Sequence, residues 1–199
     1  MSLEKQVAAI FHDSAKMKTI DFKYGAFRVS PDRLKGVGDA ILNGQIALGQ
    51  SSSSQLSAGY SPYSDTLSLP KTVNPSADKW KVAILHEGVH ALVDIYGANA
   101  GLTVMDDEAV AYVAEVIYYK ALRRPLPTGA SEKAIYTAAD QLASGLKLYK
   151  NAGVLVPVAK AQALRAAILA HPAYADIGET AKTGGHGLKR KCTGAARCG

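Results

Sequence analysis

The residues best suited to chemistry stand together at Leu85-His86-Glu87-Gly88-Val89-His90-Ala91, the pattern H-E-x-x-H. In a helix, side chains four residues apart share one face about one turn apart. His86 and His90 can therefore turn their imidazole nitrogens toward a single tetrahedral Zn²⁺. Glu87, beside the first His, is placed to hydrogen-bond a metal-bound water and remove its proton. Zinc lowers the pKa of that water toward neutrality, and the hydroxide formed can attack a carbonyl. The competing reading is a helix whose two His face solvent or satisfy core partners. The apolar run Val82-Ala83-Ile84-Leu85 places the motif mid-helix and favours the metal reading.

A catalytic zinc site needs a third protein ligand and keeps its fourth position for water. The extension H-E-x-x-H-x-x-G-x-x-H is absent, because Val93 and Tyr96 occupy its Gly and third-His positions. The ligand must come from elsewhere. Glu108, Tyr112, Glu115 and Tyr119 follow one another at spacings of 4, 3 and 4, which makes one helical stripe. On a helix otherwise so apolar, that stripe is either a solvated face or a functional one. Asp107, Glu108 and Glu115 are all candidates for the third ligand. Glu108 and Glu115 lie two turns, about 10 Å, apart, so both cannot bind the same metal. Asp94, four residues after His90, is either a partner that orients a His or a solvated helix residue.

On these residues the chain resembles a zincin metallopeptidase of the gluzincin type. In that group a second helix after H-E-x-x-H carries a Glu ligand, often as E-x-x-A, and Glu108-Ala109-Val110-Ala111 matches eighteen residues after His90. The resemblance covers roughly residues 60–120. It implies His86, His90 and Glu108 as ligands of Zn²⁺, Glu87 as general base, and the strand before the motif helix as the wall of the substrate cleft. It also implies a Tyr or His facing the developing oxyanion. Tyr112 is the first candidate for that role, then Tyr60 or Tyr63, then His186. An aspzincin-like variation would use Asp107 with Tyr112.

Elements must position these groups. Apolar spacing predicts a helix over 2–19, and alternation predicts a strand over 21–29. Ser30-Pro31 starts a second helix that ends near Asn43-Gly44. Residues 45–48 read as a short strand, 51–64 as a polar loop that is either a connection or a flap, and 65–69 as an edge strand stopped by Pro70. Long helices follow over 77–96 and 106–123, then two more over 131–151 and 156–170. The expected fold is therefore α+β: a small mixed sheet in the N-terminal half, with an edge strand beside the motif helix, and a helical C-terminal half. One domain is expected over 1–180, with its mixed part at about 1–76 and its helical part at about 77–172.

Composition bounds the rest. With 199 residues, 48% hydrophobic and 20% charged, the chain is neither a disordered tail nor a disulfide-stapled mini-protein. No apolar run reaches the roughly 18–20 residues of a membrane span, and no signal peptide is visible. The expectation is a soluble chain, in the cytoplasm or exported without a leader. The net charge of +6 is uneven: residues 181–199 hold five Lys and Arg and no acid, leaving 18 basic and 17 acidic residues upstream. That tail lacks interleaved aromatics, so a solvated, mobile terminus is expected rather than a nucleic-acid partner. Cys192 and Cys198 within it are compatible with a local disulfide or with free thiols. The expected function is zinc-dependent hydrolysis of peptide or protein substrates, as a secreted effector or toxin or as a processing peptidase. The alternatives are a non-catalytic zincin-like metal-binding module and a zinc amidase acting on a non-protein amide.

Overall fold

Ser2 caps the first helix, α1 (Leu3–Phe11), through the Lys5 backbone N–H, and Val7, Ala8, Ile10 and Phe11 turn inward. The computed structural model describes residues 1–51, 58–97, 100–129 and 132–174. The expected single helix over 2–19 is two: Asp13 accepts from the Lys16 N–H and opens α2 (Ser14–Met17). The expected strand over 21–29 is a hairpin of β1 (Phe22–Tyr24) and β2 (Phe27–Val29), reversed at Gly25 with φ +56°. That left-handed backbone is what glycine tolerates at a two-residue turn. Ser30 then caps α3 (Pro31–Leu42), which ends at Asn43 as the sequence predicts.

A second sheet follows, from β3 (Ala47–Ser51), β4 (Gly59–Ser61) and β5 (Thr66–Pro70). Its order is β3-β5-β4, with β3 parallel and β4 antiparallel to β5. The strand expected at the edge is thus central. Pro70 stands at the last position of β5, where its missing N–H breaks no interior rung, so it does not force an edge. The edges are β3 and β4, the latter inside the stretch read as a polar loop, of which residues 52–57 lie outside the described residues.

The long helices are α4 (Asp78–Tyr96) and α5 (Val104–Leu122). The chain enters α4 through Asn74, which accepts from the Ser76 N–H, rather than through a side-chain cap. Helix α5 starts two residues earlier than predicted, because Thr103 and Asp106 form a reciprocal capping box. The last elements are α6 (Lys133–Gly145), β6 (Val154–Val156), a 3₁₀ turn at Val158–Ala161, α7 (Gln162–Leu169) and a 3₁₀ turn at Pro172–Tyr174. Both helices predicted here are shorter than expected. The chain leaves α6 after Gly145 and turns at Lys147, with φ +55°. Val156 precedes a proline and is held extended, so Val154–Val156 is not helical and pairs parallel with β1.

The result is an α+β fold with two three-stranded sheets, β2-β1-β6 and β3-β5-β4. One hydrophobic cluster runs from Val7 to Ile168 and includes Phe11, Phe22, Tyr24, Ile84 and Leu85. Among the described residues no helix is long and apolar enough to cross a membrane. Helix α5 is the centre of this core, buried at every position from Ala109 to Tyr118. Helix α1 crosses α4 at Gly88, where a Cβ would run into the Phe11 ring. The variable position after His86-Glu87 is therefore glycine for packing reasons.

Candidate metal centre

The face of α4 that carries His86 and His90 lies against the stripe of α5 that carries Glu108, Tyr112 and Glu115. His86 reaches Glu115 and Glu108, while His90, one turn on, reaches Glu108 and Asp107. Rising numbers on α4 meet falling numbers on α5, so the helices run antiparallel. The solvated-face reading of the stripe does not hold: Tyr112 is 8% exposed and Glu115 4%. Buried carboxylates need charged or hydrogen-bonding partners, and here they have both.

His86 Nε2 lies 3.4 Å from Glu108 Oε2, and His90 Nε2 lies 3.5 Å from Glu108 Oε1. One donor atom from each of His86, His90 and Glu108 falls within 4.8 Å of the other two. The opposite ring nitrogens are taken up as well. His86 Nδ1 is 3.4 Å from Glu115 Oε2, and His90 Nδ1 is 2.9 Å from Asp107 Oδ1. Glu115 also accepts a 3.0 Å bond from the Tyr136 hydroxyl on α6. A carboxylate on each Nδ1 favours the N–H on that nitrogen, so each imidazole, once neutral, would present its Nε2 lone pair on the Glu108 side. This donor set of two imidazoles and one carboxylate, with outer carboxylates behind, fits zinc.

The three candidate carboxylates thus sort by geometry. Glu108 faces both Nε2 atoms, whereas Asp107 and Glu115 stand behind the imidazoles. Two helical turns separate Glu108 from Glu115, and the imidazole of His86 spans that gap with one ring nitrogen toward each. Asp94 accepts a 2.9 Å bond from the Tyr60 hydroxyl. Tyr60 stands on β4, opposite Leu67 of β5. Its backbone N–H turns away from β5 and donates to Glu87 Oε2 at 2.8 Å. The strand that reaches Glu87 of the motif helix is therefore β4, not the predicted 65–69. Tyr112 packs edge-on against the His86 ring at 4.9 Å, and its hydroxyl is 3.2 Å from that of Tyr174. Tyr63 is 79% exposed. His186, Cys192, Cys198 and the basic tail lie outside the described residues.

Three contributors escaped the sequence reading. The Tyr60 N–H is a backbone group and leaves no side-chain signal. Tyr136 shares the buried face of α6 with Ile135, Ala139 and Leu142, so it reads as core. Tyr174 follows the last periodic helix and belongs to no pattern. The capping box was legible, since Thr103-Val104-Met105-Asp106 matches a known signature.

Without a cation, protons supply the positive charge here. Burial disfavours an imidazolium, yet Asp107 and Glu108 outweigh it and push His90 up to about 9. His86 also stands well above its ordinary value, burial being overcome by Glu115 and Glu108. Burial is likewise overcome at Glu108, which His90 and His86 hold down at about 2. Because the His90 pKa is raised on folding, its pairing adds stability that is complete below about pH 6.5. That contribution is lost as pH rises through about 9. A zinc ion bound here would need neutral imidazoles, so its uptake at pH 7 would release roughly one to two protons and tighten with rising pH. Calorimetric titrations in buffers of different ionisation enthalpy read this directly. Zero proton release would contradict the charge state described.

Comparison of the chain with protein-family models, with curated proteins and with solved structures returned no match.

Proposed function

We propose that the protein is a zinc-dependent peptidase of the H-E-x-x-H type, with His86, His90 and Glu108 as the metal ligands and Glu87 as general base. The observation that carries this reading is the convergence of His86 Nε2, His90 Nε2 and Glu108, backed by Glu115 and Asp107 on the far ring nitrogens. Bound zinc would supply Lewis acidity, making a water nucleophilic near neutral pH and polarising the scissile carbonyl. Glu87 neighbours a ligand without belonging to the ligand set, and one of its oxygens is held by the Tyr60 N–H. Its role is to take a proton from the attacking water and return it to the leaving amine. A purely structural metal site has no use for such a base.

The test is a termini-resolved digest of a proteome with zinc-loaded protein. New N-termini that appear with the wild type and not with its Glu87→Gln variant support the reading. An identical set of termini from both would refute the role given to Glu87.

A further inference from the structure

Glu108 is held by more than histidines. The Tyr174 hydroxyl, in the 3₁₀ turn at Pro172–Tyr174, donates to Glu108 Oε2 at 2.9 Å. This is a charge-assisted O–H···O⁻ bond, among the stronger kinds of hydrogen bond. It falls on one carboxylate oxygen only. Oε2 also faces His86 Nε2 at 3.4 Å, whereas Oε1 faces His90 Nε2 at 3.5 Å and takes no phenolic proton.

The phenol is itself positioned. Its oxygen lies 3.2 Å from the Tyr112 hydroxyl, and Tyr112 is wedged edge-on between the rings of His86 and Tyr136, at 4.9 and 5.7 Å. The turn that carries Tyr174 is closed by the Ala173 N–H donating to His171 Nδ1, and the His171 ring lies 5.8 Å from that of Tyr174. The Tyr174 side chain is half-buried, so the bond forms at the border of the core.

We infer that Tyr174 is a positioning residue for the third ligand: its hydroxyl occupies Glu108 Oε2 and leaves Oε1 as the oxygen that binds a cation. The inference rests on the metal site proposed above. A carboxylate can bind a cation through one oxygen or chelate it through both. Chelation would use the coordination position that a catalytic site keeps for water. An oxygen already accepting a phenolic proton is a poorer donor to the cation, so the tyrosine holds Glu108 to single-oxygen binding. Tyr112, which the sequence suggested for the oxyanion, acts here one step back as the support of Tyr174.

Cobalt(II) in place of zinc reports this directly, because its visible absorption weakens severalfold when a fifth donor joins a four-coordinate site. The wild type loaded with cobalt(II) should show the intense four-coordinate spectrum. Tyr174→Phe keeps the ring and its packing, and should show a severalfold loss of intensity as Glu108 chelates. Tyr112→Phe removes the hydroxyl that supports Tyr174 but not the phenol on Glu108, and should lose intensity in the same direction by a smaller factor. A Tyr174→Phe spectrum identical to the wild type would overturn the inference while leaving the metal site standing. Failure of the wild type itself to bind cobalt(II) or zinc would overturn both.

Discussion

Glu87→Gln should leave the protein folded and zinc-loaded while lowering peptide-bond turnover by about 10²–10⁴-fold, the usual worth of a positioned general base. The substitution is nearly isosteric. Its amide oxygen can still accept the Tyr60 N–H that now donates to Glu87 Oε2 at 2.8 Å, so the contact between β4 and α4 survives. The proposed ligands His86, His90 and Glu108 are untouched. What is lost is an acceptor that can hold a proton and pass it on, because an amide has no accessible proton-binding oxygen near neutral pH. Metal content by elemental analysis and turnover on a peptide identified from the proteome digest check both halves. Full turnover with full zinc would remove Glu87 from the chemistry.

Glu108→Ala has the second large effect, on metal binding. Removing an outer partner of a ligand costs roughly 10–100-fold in affinity, and loss of a ligand should cost more. Among the described residues Glu108 is the only carboxylate facing both Nε2 atoms, at 3.4 and 3.5 Å. The change also takes from His86 and His90 a carboxylate that raises both their pKa values. Asp107→Ala and Glu115→Ala should fall in the smaller range, since each removes a carboxylate from one Nδ1 only. Competition against a chromophoric chelator gives all three affinities. If Glu108→Ala bound zinc as tightly as the wild type, with Asp107→Ala or Glu115→Ala far weaker, the ligand assignment would move to that residue.

The part of the site that follows from helix geometry was readable in the sequence. Spacing alone puts His86 and His90 on one face, and it puts Glu108, Tyr112 and Glu115 on another. It cannot say that the two faces meet, because that depends on the antiparallel packing of α4 on α5 around a shared core. Hence the residues alone left Asp107, Glu108 and Glu115 open as third ligand, and only the family resemblance favoured Glu108. Strand β4 was lost for a related reason. A three-residue strand carries too little alternation to stand out from a Ser-rich stretch, and its partner β5 shows its central place only once β3 pairs with it.

Prolines and caps explain the boundary errors. Pro70 suggested an edge strand, although at the end of β5 it costs no rung. Pro157, which should have ended helical expectation at Val156, marks the strand β6 that joins β1. Thr103 and Asp106 set the true start of α5, so that Asp107 and Glu108 occupy its first turns facing α4. Tyr174 lies beyond every periodic segment, and only the folded chain brings its hydroxyl to Glu108.

The most direct measurement is zinc-edge anomalous scattering from crystals of the zinc-loaded protein. The account predicts one strong peak within bonding distance of His86 Nε2, His90 Nε2 and a single oxygen of Glu108. Absence of a peak there, or a peak held by other residues, would contradict it.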